Sequence, residues 1–421
     1  MGRQYFRLSL TRECGPLSQF NTLYHGLGLE AHILELYSNA VGTFLAKVKK
    51  PYFIDPILYR LFDPLFLDVK EKRWVAEVVE RYGLVEAIAE NDDGLTNELF
   101  SASGTAPAGV ARVDPDVLVS RVLDYERGRV PEVGAGQSLW DQLEGGKPLL
   151  DASDFASPEF LVAPYIQISD TPSLELNARL AASAVKQKHS GEQVAAVVPI
   201  PSDYLSKKDP WKDIVSHYGP LGLDSLMLWI GDFREWEEEP ALLEAFARFI
   251  ANIKSAIPTI QLTNLYGSFF STVLAGRGLL DGTVQGVGIS EHKDPYATGG
   301  GGVSRYYVPI SRRSVSTDLA TDMQQLNSDL FSCPCQECTR GTKPSQMGAA
   351  ALAQHFILTR SMELKWATDT SLADIIQQLT DAATNLSAVK GAIGGVSGAH
   401  GRRLMVWATV LEGLASSGVL K

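Results

Sequence analysis

Cys333, Cys335 and Cys338 fall within six positions of one another, and His355 follows Cys338 after sixteen intervening residues. Three thiolates and one imidazole fill the tetrahedral shell of a Zn²⁺ ion. A filled shell leaves no open position, so the cluster reads as a structural clasp that performs no chemistry itself. His355 lies early in a helical pattern over 347–367, so a loop and a helix can close on one ion. Asp369 is the nearest downstream substitute for His355. The other histidines have no cysteine partners, and Cys14, the fourth cysteine, stands alone.

Acid–base or nucleophilic work falls to carboxylates. Asp55 ends the apolar run Tyr52-Phe53-Ile54, Asp170 follows the run 161–168, and Asp281 stands at the turn leading into the run 283–289. Each has a plain alternative. Asp55 before Pro56 is a strand-ending turn residue. Asp170 before Thr171-Pro172-Ser173 is a helix N-cap, and Asp281 before Gly282 is a turn residue. Their joint placement gives them weight, because the strand ends of a (β/α)8 barrel converge on one face and supply catalytic groups from several strands. Three aspartates that fail to share a pocket would leave a zinc-stabilised barrel hydrolase of unrelated function.

The elements that must position these groups follow a rhythm. Short apolar runs at 5–10, 52–55, 161–168, 194–200, 225–230, 258–262 and 283–289 read as strands. Helical patterns lie at 31–48, 74–89, 173–188, 241–257 and 269–278. Such alternation signals a parallel sheet, and nearly continuous apolar runs fit strands covered on both faces. The stretches 92–107, 131–148 and 297–302 are Gly-rich or polar and read as loops. Helices at 347–367, 372–389 and 402–416 close the chain. The expected fold class is α/β: a (β/α)8 TIM barrel over 1–320 with an insertion around 70–155, and a zinc-binding helical segment over 321–421 packed on it.

The chain has 421 residues, 45% hydrophobic and 21% charged, with a net charge of −11. That length suffices for one large core or two to three smaller ones. The acidic balance argues against indiscriminate coating of nucleic acid but leaves room for a local basic groove. No apolar run is long enough for a membrane span, and the first residues lack the apolar region of a secretory signal. Few cysteines, mostly clustered, fit a reducing compartment, and the expected location is cytoplasmic.

The motifs together resemble the tRNA-guanine transglycosylase superfamily, zinc-bearing barrels that exchange a guanine base in nucleic acid for a 7-deazaguanine. Asn21-Thr22-Leu23-Tyr24-His25 is similar to the family's N-T-Y/F-H-L loop. Phe53-Ile54-Asp55-Pro56 stands at its T-D-S-G-G-F segment, and Ile168-Ser169-Asp170-Thr171-Pro172 at F-D-E-C-T-P. Val197-Val198-Pro199-Ile200-Pro201 replaces I-V-Q-G-G, and Leu228-Trp229-Ile230-Gly231 replaces G-G-L-A-V-G. Leu279-Leu280-Asp281-Gly282 matches L-F-D-C/S, and the cysteines with His355 match the zinc ligands. The zinc motif is the specific part. Loss of the Gln-Gly and Gly-Gly-Leu-Ala segments changes the rim of the base pocket. The pattern leans to the divergent branch that inserts 7-deazaguanines, such as 7-cyano-7-deazaguanine, into DNA.

The resemblance implies a transferase of the pentosyltransferase class working through a covalent aspartyl-glycosyl intermediate, as in retaining glycosidases. Asp281 would be the nucleophile and Asp55 the acid/base. Asp170 would accept the N1–H and 2-amino donors of the base. Tyr266, Trp229 and Phe233 are candidates by position for an aromatic lid over a flipped base. Arg305, Arg312, Arg313, Arg340 and Lys343 are candidates for phosphate contacts, or else a solvated face. The implied partners are nucleic acid, with DNA favoured and tRNA possible, and a free 7-deazaguanine base. A homodimer or accessory protein is possible, and a non-catalytic partner subunit of such an enzyme is the alternative from another class.

Overall fold

The computed structural model describes residues 2–9, 11–58, 115–128, 157–287 and 304–421. Eight parallel strands run in order: β1 (Arg3–Leu8), β2 (Gly26–Glu30), β3 (Tyr52–Asp55), β4 (Leu161–Val162), β5 (Val194–Pro201), β6 (Ser225–Gly231), β7 (Gln261–Asn264) and β8 (Gly282–Gly286). They pair as β3-β2-β1-β8-β7-β6-β5-β4. A parallel bridge between Phe53 and Phe160 joins the two outer strands and closes the ring. The architecture is the expected α/β barrel.

Side chains alternate across each strand. On β1, Arg3, Tyr5 and Arg7 point inward, while Phe6 points out and meets Tyr24 and Phe356. On β2 the inward positions Gly26 and Gly28 leave space for the rings of neighbouring strands. A Cβ on Gly28 would lie 2.8 Å from the Phe53 ring, and one on Gly26 2.6 Å from the Pro51 carbonyl oxygen. β2 was not among the expected strands, because Gly-Leu-Gly-Leu-Glu has too few β-formers to announce itself.

Other boundaries moved by a few residues. The run 161–168 forms strand only over Leu161–Val162, and the pattern 31–48 divides into helices Ala31–Leu36 and Ser38–Val48. The helix Pro115–Gly128 packs on the barrel beside β4. The expected helix at 74–89, the loops at 92–107, 131–148 and 297–302, and the rest of the insertion at 70–155 lie outside the described residues.

After β8 comes an antiparallel hairpin, β9 (Arg305–Val308) with β10 (Arg313–Ser316), and then the helix Ala349–Asp369. This helix takes the place of the eighth barrel helix. Phe356 meets Phe6 of β1, and Arg360 Nε donates to Gln285 Oε1 of β8 at 2.8 Å. Arg360 is fully buried, and its charge is met by Glu363 at 2.6 Å. Glu363 also accepts from Tyr307 and Arg312. A buried pair of this kind holds one arrangement, since losing either member leaves an uncompensated charge. The helices Leu372–Ser387 and Gly394–Ser416 pack on each other outside this layer. No helix among the described residues is long and apolar enough to cross a membrane.

Candidate functional site

The strand register sorts the three aspartates by end of the barrel. Asp55 is the last residue of β3 and pairs in register with Glu30, the last of β2. Both therefore stand at the C-terminal face. Asp281 precedes β8: its N–H donates to Leu262 O at 2.8 Å and its carbonyl accepts from Arg3 N–H at 2.7 Å. Its carboxylate accepts from the Leu262 N–H at 2.8 Å and pairs with Lys254. These contacts lie at the first residues of β1, β7 and β8, so Asp281 sits at the N-terminal face, the whole barrel away from Asp55. The expectation that the three aspartates share a pocket is corrected: a turn before a strand lies at the end opposite to that strand's catalytic end.

Asp170 is on the C-terminal side but does the plainer of its two jobs. It is exposed and caps the helix Thr171–Gln187, with Oδ1 accepting from Ser173 N at 2.9 Å and from Ser173 Oγ. Those hydrogen bonds hold its pKa below the ordinary carboxylate range.

The C-terminal mouth gathers groups that the motif comparison had left out. Tyr165 Oη donates to Asp55 Oδ1 at 2.8 Å, and the Ile57 N–H donates to the same oxygen at 2.9 Å. Ile57 reaches it with φ = +50°, a conformation a β-branched residue adopts only under strain, of about 1–3 kcal/mol. Strain of that kind collects where a fixed side-chain position matters more than local stability. Glu30 has Arg7 Nε 3.7 Å from Oε1 and His32 Nδ1 3.3 Å from Oε2. The Arg7 guanidinium also lies 4.4 Å over the Tyr266 ring. Tyr266 meets Trp229 at 5.4 Å, and Trp229 meets Tyr165 at 6.3 Å.

Trp229 and Tyr266 thus belong to the mouth, with Trp229 fully buried as part of its floor. Phe233 does not: it packs on Phe246 of the helix Pro240–Ala256 at 4.9 Å. Of the expected phosphate contacts, Arg312 lies against the stacked Phe269 and Trp366 rings and is paired with Glu363. Arg313 lies over Trp236 and 3.9 Å from Glu237. Arg340 pairs with Glu337 at 3.0 Å. These arginines serve the fold's own aromatic and acidic groups. Arg305 and Lys343 are exposed.

Period-two alternation in Arg3–Leu8 was the signal for Arg7, and the end position in Gly26–Glu30 was the signal for Glu30. Glu30 was hidden because 26–30 was not read as a strand; Arg7 lay on an expected strand and was passed over.

The cysteine cluster forms as expected. One ligand atom from each of Cys333, Cys335, Cys338 and His355 lies within 4.8 Å of the others. His355 Nδ1 is 3.3 Å from Cys335 Sγ and 3.4 Å from Cys338 Sγ. Its Nε2 is 2.7 Å from Tyr307 O, so the proton sits there and Nδ1 faces the sulfurs as a ligand. Tyr306 stacks on the imidazole at 4.1 Å, and its hydroxyl is 3.1 Å from Cys338 Sγ. Burial alone would lower the His355 pKa, but in the ion-free cluster the Cys333 and Cys335 sulfurs raise it, so a bound cation would displace the Nδ1 proton. The cluster is a concentrated negative site whose donor set fits a metal ion. Asp369 is not a ligand; it pairs with Lys365 at 2.9 Å.

A cavity of about 670 Å³ opens at the other end of the barrel, lined by Gln4, Leu23, Tyr24, His25, Ser361 and Met362 among others. It shares no residue with the mouth. Neither a protein-family model nor a curated protein matches the sequence.

Proposed function

We propose that the chain exchanges a purine-type base on nucleic acid at the C-terminal mouth, with Zn²⁺ held structurally by Cys333, Cys335, Cys338 and His355. The observation that carries the reading is the carboxylate pair at the ends of adjacent strands, Glu30 and Asp55. Glycosyl transfer with retention needs two carboxylates close together, one to attack C1′ and one to handle the proton of the leaving group. Glu30 takes the nucleophile's part in place of Asp281, because Arg7 and His32 beside it favour its ionised form. Asp55 takes the acid/base part: it gives a proton to the departing ring nitrogen and recovers one from the incoming base. Zinc supplies no step and holds the β8-to-helix connection.

The placement of Asp281 favours a second reading, a hydrolase using the same carboxylates with water as acceptor. One experiment separates the two. Labelled guanine or a 7-deazaguanine is offered with duplex DNA, single-stranded DNA and tRNA in parallel. Uptake into one polymer, lost in Glu30→Gln and Asp55→Asn, is the expected result. Base release without uptake selects the hydrolase. No reaction by the metal-loaded protein alone removes both readings and leaves a non-catalytic partner subunit.

A further inference from the structure

The ladder between β3 and β4 is interrupted just below Asp55. The Glu159 N–H donates to Tyr52 O at 2.7 Å, and Phe160 bridges to Phe53. Beyond that point β4 turns to the other neighbour: the Leu161 and Ala163 N–H groups donate to Gln193 O and Ala195 O, beside β5. The Val162 N–H between them is met instead by a side chain from the helix Pro115–Gly128, with Glu126 Oε2 accepting at 2.8 Å. Glu126 is 1% exposed, and its Oε1 has no hydrogen-bond partner among the described residues.

An ionised carboxylate in that place would keep an orphaned oxygen out of water and in the field of Asp55. Protonation removes the charge and converts one oxygen into a donor. Burial and the charge of Asp55 push Glu126 well above the ordinary carboxylate range, against the Val162 N–H, which pulls it down. The charged groups that act on it are Asp55 across the seam and Arg127 on its own helix. Arg127 is engaged by Glu192 and Asp124.

We infer that Glu126, wedged in the β3–β4 seam, carries a proton at neutral pH and forms with Asp55 a carboxyl pair that stores one proton at the mouth. Its part in catalysis rests on the proposed role of Asp55; its protonation does not. A solitary aspartate is ionised at neutral pH and has no proton to give. A pair that holds one proton keeps it until the second ionisation, which would place two like charges together. The proton given to a departing base then comes from the pair, and the one taken from the incoming base restores it. Glu126 is a positioning residue for that proton and touches no substrate.

Infrared spectroscopy tests the pair without substrate. The metal-loaded protein at pH 7 is expected to show a protonated-carboxyl stretch that moves in D₂O. Glu126→Gln, which keeps the shape and the acceptor for Val162, should lose it. In Asp55→Asn the band should titrate at lower pH, because the like charge of Asp55 helps to hold the proton; an unmoved titration would show that Glu126 bears the proton alone and would remove the pair. Absence of the band at pH 7 in the parent protein, or its survival in Glu126→Gln, overturns the inference. If base exchange is found, the alkaline limb of its pH–rate profile should move down in Glu126→Gln, by about tenfold in rate for each pH unit moved. An unmoved limb with the band lost would keep the protonated carboxyl and remove its catalytic part. A protein with the band but no exchange keeps the pair and rejects the reading of Asp55.

Discussion

Asp281 and Asp55 are both aspartates beside a strand, and the direction of the strand separates their work. Asp281 precedes β8 and accepts from the Leu262 N–H and Lys254. It ties the entry of β8 to that of β7. Asp55 ends β3 and accepts from Tyr165 and the Ile57 N–H among the groups of the mouth. Asp281→Asn is therefore expected to lower stability by about 1 kcal/mol, the worth of a part-exposed ion pair and a backbone cap. It should leave any activity at the mouth unchanged. Chemical denaturation and the label-uptake assay check the two halves, and a collapse of activity with unchanged stability would return Asp281 to the catalytic role.

Among the elements, the strand-to-helix connections carry the site, and their local chemistry was partly legible. The Asp170-Thr171-Pro172-Ser173 stretch announced a helix start, and the structure has a capping box there, with Ser173 Oγ reaching the Asp170 backbone. Asp170→Ala should cost about 1 kcal/mol through the lost cap. A melt on the parent and the variant measures it. A larger effect on base binding than on stability would show that Asp170 also reads the base. β2 was illegible for the opposite reason: its glycines serve the Tyr5 and Phe53 rings across the sheet, a need that no local propensity records. Missing β2 hid Glu30, and with it the second carboxylate of the mouth.

For the whole molecule, the Cys3His cluster, whose donor set fits a metal ion, ties the C-terminal region together. The ligands come from the loop after the short helix Ser328–Phe331 and from the helix Ala349–Asp369, which packs on β1 and β8. Cys335→Ser, or chelation, should free that helix and melt the chain far earlier, because a structural zinc of the kind proposed would contribute on the order of 10 kcal/mol. Elemental analysis with thermal unfolding checks this, and a metal-free protein of full stability would contradict it. His400 is buried on the helix Gly394–Ser416, with Trp236 against it at 5.3 Å. Burial, and secondarily Arg313, lower its pKa to about 4. The unfolded chain takes up that proton near pH 6.5 and the folded chain does not. The stability this group allows is complete above about pH 6.5 and is lost as pH falls toward 4. Stability measured across that window should fall less steeply in His400→Leu than in the parent.

Read alone, the sequence determined the alternation of strand and helix, the barrel class and the four-residue Cys3His cluster. Each of these is written in local spacing: a strand's apolar run, a helix's period, a cysteine triplet. Tertiary structure decided which carboxylates meet. A residue's end of the barrel depends on whether it begins or ends its strand, and a register pair such as Glu30 with Asp55 joins chain segments that no local pattern connects. The same holds for Glu126, whose carboxyl fills a gap between strands that exists only once the ring has closed.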